Sequence, residues 1–127
     1  MPDRPGIRRE PPLHEMSIAE SILDAARAEL ERRPGASLRG LGLRIGELAG
    51  VDSDSLNFCI ECLIRETALE GLTVHIEHCP RRHQCPQCAH TFAVAGFDFE
   101  CPACGNPATR PVGGDELQLA YLELDEP

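Results

Sequence analysis

Two pairs of closely spaced cysteines constrain the fold of this 127-residue chain more than any other feature of its sequence. Cys85 and Cys88 form one C-x-x-C unit, Cys101 and Cys104 form another, and twelve residues separate the two units. Each unit can present two thiolates from a tight turn, and two facing turns supply the tetrahedral sulfur cage that zinc prefers. Because such a cage leaves no open position for a substrate, the spacing predicts a structural zinc ion rather than a catalytic one.

Cysteine pairs can also form an iron site, a thiol redox site or disulfides. The same spacing suits a rubredoxin-like iron site, which the sequence alone does not separate from zinc. A thioredoxin-type redox site needs a C-x-x-C at the start of a helix in a βαβ unit, and neither unit has that context. Disulfides are disfavoured because residues 1–12 contain no apolar stretch of a secretory signal, so we expect a cytoplasmic, reducing location.

The charge and amino-acid composition of the chain limit which kinds of partner it can bind. The chain has 12 Lys+Arg against 21 Asp+Glu and a formal charge of −9, whereas nucleic-acid binders need basic surface to displace phosphate counterions. No apolar run approaches the roughly 20 residues that a bilayer span requires. Hydrophobic residues make up 42% of the chain and charged residues 26%, which is typical of a globular protein. We therefore expect neither nucleic acid nor a membrane as a partner.

The remaining pattern predicts an α+β fold. Residues 1–12, with four prolines and a glycine, are expected to form an extended arm. A capping box at Ser17–Glu20 predicts the start of a first helix, which Pro34-Gly35 ends. A second helix is expected from the cluster at 52–55 to about Leu69. Period-two alternation predicts three strands, around residues 41–45, 74–77 and 117–124.

Two helices packed on a three-stranded sheet are an economical α+β arrangement. The cysteine-rich segment between the second and third strands is expected to be an inserted four-cysteine, zinc-ribbon-like domain. It has too little apolar content to fold without a metal. The predicted division is an arm at 1–12, an α+β domain at 13–78 plus 113–127, and a zinc-binding domain at 79–112.

Five further cysteines and histidines have no assigned role at this point. Cys59 and Cys62 lie three residues apart in the second predicted helix, where they could bind a metal but are more typical of a core. Cys79 precedes the first C-x-x-C unit. His83 and His90 flank that unit and are expected to be exposed loop residues, although either could support a thiolate.

Three stretches of the sequence resemble the HypA/HybF family of hydrogenase maturation factors. They are Leu13-His14-Glu15-Met16-Ser17-Ile18-Ala19-Glu20, then Ile45-Gly46-Glu47, and finally Gly114-Asp115-Glu116-Leu117. Together with the two cysteine units, the resemblance covers residues 13–124. It implies a nickel-binding α+β domain, a zinc-binding cysteine-rich domain, and delivery of nickel to the large subunit of a nickel-iron hydrogenase. It also implies the GTPase HypB as a partner and, in some organisms, urease maturation proteins.

The resemblance implies that His14 and Glu15 belong to a transient Ni(II) site, because the family carries a Met-His-Glu motif at its chain start. Here Leu13 stands in place of that methionine and twelve residues precede it, so we do not expect a free terminal amine as a ligand. Three alternatives stay open: a start downstream of Met1, a site made of the His14 ring and the amides of residues 13–15, or completion by Asp52 or Glu47. Without the resemblance, His14 would be interpreted as a simple helix-entry residue.

A different functional class is also compatible with the cysteine pattern. A zinc-ribbon adapter for protein interactions would hold one zinc ion and no transferable metal. No G-x-x-x-x-G-K-[ST] sequence occurs, so nucleotide hydrolysis is expected from a partner and no enzymatic activity is expected from this chain.

Overall fold

A computed structural model describes residues 13–126, and the predicted arm at 1–12 therefore lies outside the described residues. The described chain contains two helices and six strands. In chain order these are α1 (Leu13–Glu31), β1 (Ser37–Gly46), α2 (Ser53–Ile64), β2 (Thr73–Cys79), β3 (Arg82–Gln84), β4 (Thr91–Ala93), β5 (Arg110–Gly113) and β6 (Leu117–Asp125).

The strands form two three-stranded sheets. β1 is the central strand of the first sheet, between β2 and β6, and β3 is central in the second, between β4 and β5. Both pairings of β3 are antiparallel. The two helices and the first sheet confirm the predicted α+β class, and the second sheet lies within the cysteine-rich insertion, whose strands the sequence analysis did not predict.

The chain divides into two compact units. The first contains the described parts of 1–42, 51–75 and 119–127, and the second contains 43–50 and 76–118. Buried apolar residues of both helices and of β1 form the core of the first unit. They include Ala19, Leu23, Ala26, Leu41, Leu56, Cys59 and Ile60.

Helix α1 begins one turn before the predicted start, so the interpretation of Ser17 as its cap is wrong. The reason is that Glu15 continues the buried face of the helix, four residues before the buried Ala19. Glu15 also lies in the first turn, where a carboxylate interacts favourably with the positive end of the helix. Both residues of the predicted nickel motif therefore lie inside the helix.

Helix α2 begins as predicted but ends five residues early. Asp52 is its N-cap, and its carboxylate accepts hydrogen bonds from the backbone NH groups of Asp54 and Ser55. At the other end, the Thr67 backbone NH and hydroxyl both donate to the carbonyl of Ile64, and Glu66 has a left-handed backbone with φ of 60°. These bonds close a turn in place of the expected helix to Leu69.

Gly46, at the end of β1 and itself part of the second unit, is packed against the backbone of residues 114–116. Its NH donates to the carbonyl of Glu116 at 2.7 Å, and a β-carbon at this position would meet the carbonyl group of Gly114. We expect Gly46→Ala to lower the free energy of unfolding by about 3 kcal/mol, because backbone atoms cannot move aside as a side chain can. Urea unfolding measures this change.

Gly40→Ala is the matched control in the same strand. The nearest atom to its new β-carbon belongs to the carboxylate of Glu123, which ends a flexible side chain. The Gly40 variant should therefore lose clearly less stability than the Gly46 variant. Equal losses would show that strand position, rather than contact with Gly114, determines the cost.

Candidate metal sites

The four predicted zinc ligands lie together in the second unit. The sulfur atoms of Cys85, Cys88, Cys101 and Cys104 are all within 4.8 Å of one another. The Sγ atoms of Cys85 and Cys104 are 3.5 Å apart, and those of Cys88 and Cys101 are 3.6 Å apart. Four sulfurs around a tetrahedral zinc at about 2.3 Å lie about 3.8 Å from one another, so this arrangement fits zinc closely.

The two C-x-x-C units fold into the same turn. In each, the NH of the first cysteine donates to the carbonyl five residues later, and the NH four residues later donates back to the carbonyl of the first cysteine. The bonds run between Cys85, Ala89 and His90 in the first turn, and between Cys101, Gly105 and Asn106 in the second. This repeated pattern directs both sulfurs of each unit to the same side of its turn.

Of the four thiols, that of Cys85 accepts the most hydrogen bonds from NH groups. Its Sγ accepts hydrogen bonds from the backbone NH groups of Gln87 and Cys88 and from the side-chain amide of Asn106. Burial acts to raise the pKa of this thiol, but hydrogen bonds from the NH groups of Cys88 and Gln87 and from the thiols of Cys104 and Cys88 together lower the pKa to about 6. The neighbouring Cys104 thiol keeps its proton, since hydrogen bonding to Cys85 helps raise its pKa to about 12, so a metal ion bound by the cluster displaces a proton there.

The fourth residue after each first cysteine has a left-handed backbone. Gly105 has φ of 80° and Ala89 has φ of 66°. A β-carbon costs about 1 kcal/mol or more in this conformation. We expect Gly105→Ala to destabilise the zinc-loaded protein by about 1 kcal/mol and Ala89→Gly to stabilise it by somewhat less, because glycine also adds entropy to the unfolded chain.

The thermal midpoint of each variant provides the measurement, with zinc held in excess. Among residues 13–126, and apart from Gly105 and its two chain neighbours, no heavy atom lies within 4 Å of a β-carbon built at this position, so the substitution tests the backbone conformation alone. Shifts of the same sign in both variants would contradict this interpretation of the two turns.

His83 and His90 occupy different environments. His90 is exposed outside the strands, as expected, but His83 is half-buried in β3 and corrects the loop interpretation. The His83 ring stacks on Phe99 with centroids 5.0 Å apart, and its Nδ1 is 3.0 Å from the hydroxyl of Thr109. Since that hydroxyl donates to the carbonyl of Phe99, Nδ1 is the donor in the bond to Thr109. The pairing of β3 with β5 creates this environment.

The two residues of the predicted nickel motif point into different surroundings in the first unit. His14 is exposed, whereas Glu15 is only 5% exposed. The carboxylate of Glu15 accepts a hydrogen bond from the backbone NH of Asp52 at 3.1 Å. Glu15 thereby joins the first turn of α1 to the N-cap of α2. The amides of the first helical turn have no carbonyl within α1 to receive them, so they remain candidate nitrogen donors beside His14.

Existing hydrogen bonds occupy both carboxylates weighed as additional nickel ligands. The Asp52 carboxylate caps α2. Glu47, in the second unit, accepts from the backbone NH of Arg81 at 3.2 Å and from its Nε at 3.0 Å. Both bonds to Asp52 go to Oδ1, which leaves Oδ2 available to a metal, whereas each oxygen of Glu47 already accepts one of the bonds from Arg81.

Comparison with known proteins shows the same combination of features elsewhere. The family model described as "Hydrogenase/urease nickel incorporation, metallochaperone, hypA" matches residues 13–124. A hydrogenase maturation factor HypA from Geobacter metallireducens is 38% identical over 113 residues, covering 89% of this chain and all of the relative. The HypA of Chlorobaculum parvum is 32% identical with the same coverage.

This chain belongs to the HypA family. The fold agrees with two solved HypA structures, which are too distant in sequence to show more than the fold. The solution structure of the Ni metallochaperone HypA from Helicobacter pylori has a TM-score of 0.61 at 19% identity, covering 89% of this chain and 98% of that one. A second HypA solution structure has a TM-score of 0.66 at 20% identity, covering 88% and 96%.

Sequence reasoning missed how this HypA-family chain uses Glu15. Its carboxylate accepts a bond from the NH of Asp52 at the start of α2, and burial, with smaller contributions from Cys62 and Glu15, raises the pKa of the Cys59 thiol. The four-residue spacing from Glu15 to Ala19 was the available signal. Cys59 and Cys79 are buried and Cys62 is half-buried, as core residues would be. Within residues 13–126, no helix is long and apolar enough to cross a membrane.

Proposed function

We propose that this HypA-family chain binds Ni(II) through the His14 ring and neighbouring first-turn amides, and delivers it to the large subunit of nickel-iron hydrogenase. The observation that carries the proposal is the exposed His14 at the start of α1 in a member of a nickel-incorporation family. Nickel(II) accepts imidazole and deprotonated amide nitrogens in a planar array. Glu15, held by the NH of Asp52, orients this turn.

An exposed cargo site suits transfer. A recipient's ligands can replace those of the donor one at a time only where the metal is open to solvent on one side. His14 meets this condition, whereas the buried sulfurs of Cys85 and Cys101 do not. Imidazole binds metal only when it is neutral, so acidification is expected to release nickel from His14 before it releases zinc from the cysteines.

The proposed role of zinc is structural. The ligands are Cys85, Cys88, Cys101 and Cys104, whose sulfur spacing fits the ion. Zinc bound there supplies folding free energy to a unit with a small apolar core. Nucleotide hydrolysis would come from a partner, for which we propose the GTPase HypB, and urease maturation proteins are additional proposed partners.

A transfer assay tests this function. Protein loaded with one equivalent each of nickel and zinc is mixed with metal-free hydrogenase large subunit, the two proteins are separated by size, and both metals are quantified by mass spectrometry. We expect nickel to move to the large subunit while zinc stays behind. Nickel that remains with this chain, or zinc that moves with it, would contradict the proposed delivery role.

A further inference from the structure

A groove unrelated to either candidate metal site runs along α1 in the first unit. One stretch of the groove is lined by α1 near Glu20 and by Leu63 of α2, and the next is lined by α1 near Glu31 and by residues 67–69. Each stretch has a volume of about 470 Å³, and both include Asp24 and Arg27. Because they share these residues, the two stretches form one continuous groove.

The helical positions that line the groove lie on one stripe. Ser17, Glu20, Asp24, Arg27 and Glu31 follow one another at intervals of three or four residues, which places them on the same side of α1. The fourteen residue steps from Ser17 to Glu31 correspond to about 21 Å, the length of about four helical turns. The groove is therefore as long as a short helix laid beside α1.

The floor of the groove is apolar beside residues 67–69, whereas the stretch near Glu20 presents mainly polar surface. Leu23 is buried, and Leu30 and Leu63 are half-buried between the helices. Ala28 and Ala68 are exposed, and their small side chains leave room above the floor. Such a surface matches the way in which an amphipathic helix places its apolar face into a hydrophobic groove.

The rim of the groove is acidic. Glu20, Asp24 and Glu31 contribute three carboxylates, and Arg27 contributes the single lining guanidinium. Arg27 Nη1 is 3.8 Å from Asp24 Oδ1, and both side chains are well exposed, so this ion pair is weak and can be exchanged for another. The overall charge of −9 reinforces attraction of a cation from solution.

We propose that this groove is a docking site for an amphipathic helix of a partner protein that carries lysine or arginine along the edges of its apolar face. The apolar floor selects the helix face, and the carboxylates select its charge and accelerate encounter. Neither His14 nor Glu15 lines the groove, so docking here does not consume the proposed nickel site. The inference is independent of which metal the protein carries.

The test uses the full chain with zinc bound and two synthetic fourteen-residue peptides. One alternates leucine and alanine on one helical face with lysine and arginine on its edges, and the other replaces the basic residues with glutamate. Fluorescence anisotropy gives the affinity of each peptide. Amide chemical-shift mapping in the ¹⁵N-labelled protein then locates binding.

We expect the basic peptide to bind at least ten-fold more tightly than the acidic one and to shift amides of residues 17–31 and 63–69. Asp24→Lys, which reverses a rim charge, and Ala28→Gln, which fills the groove without adding charge, should each weaken it at least five-fold. Asp98→Lys, in the second unit, makes the same charge change outside the groove and should alter the affinity less than two-fold.

Three results would overturn the proposal. Equal losses from Asp24→Lys and Asp98→Lys would mean that net charge alone attracts the peptide. Shifts confined to other surfaces would place docking elsewhere. Equal affinities for the basic and the acidic peptide would show that charge complementarity does not determine binding. Nickel binding, measured in parallel, is expected to be unchanged in the Asp24 and Ala28 variants, so failure of the groove and failure of the nickel site can be told apart.

Discussion

The Cys85→Ser variant is expected to lose tightly bound zinc and the folded structure of the second unit. Cys85 is buried, its sulfur lies 3.5 Å from that of Cys104, and three NH donors converge on it. Structural zinc contributes about 10–16 kcal/mol in small zinc-binding peptides, far more than the marginal stability of such a unit without metal. The second unit buries few apolar side chains that could stabilise it in place of zinc. Even its large Phe97 side chain is 90% exposed.

Zinc content by mass spectrometry and amide NMR spectra measure this loss. We expect resonances of residues 76–118 to collapse while those of α1 and α2 persist. Cys62→Ser is the matched control because Cys62 is a half-buried thiol of the first unit outside the sulfur cluster. A Cys85→Ser protein that retains one zinc with unchanged affinity would contradict the four-thiolate assignment.

The second large effect is expected at His14. We predict that His14→Ala weakens nickel binding by at least about 100-fold, because the variant loses the one imidazole beside the first-turn amides. Zinc content and thermal stability should stay at their original values, since the His14 side chain is exposed. Calorimetric titration of the zinc-loaded variant with nickel gives the affinity.

His75→Ala is the control for this experiment. His75 is also an exposed histidine of the first unit, and its Nε2 lies 3.3 Å from a carboxylate oxygen of Glu123. The His75→Ala variant should bind nickel with the same affinity as the unsubstituted protein. If His14→Ala keeps full affinity, the nickel ligands must instead be sought among other residues, beginning with His75, His78, His83 and Asp52.

Local spacing predicted much of this molecule. The two C-x-x-C units predict a sulfur cluster because each turn is formed by six consecutive residues, and the structure brings all four sulfurs together. The Asp52 cap of α2 is likewise a local pattern that the structure confirms. Buried Leu41, Leu43 and Ile45 follow the alternation that predicted β1.

Competing local signals and nonlocal contacts caused the errors. Ser17 and Glu20 form a valid capping pattern, but burial of Glu15 and its bond to the NH of Asp52 favour an earlier start for α1. His83 was expected in a loop because its strand has only three residues, too few to show an alternating pattern, and depends on pairing with β4 and with the more distant β5. Tertiary packing of this kind is invisible to periodicity.

Nickel titration of the zinc-loaded full chain tests the central claim most directly. Calorimetry gives the affinity and stoichiometry, and mass spectrometry of the product gives its content of both metals. The nickel-delivery account predicts about one nickel bound in addition to one retained zinc. Absence of nickel binding would contradict it and favour a zinc-ribbon adapter, and displacement of zinc by nickel would contradict the existence of two separate sites.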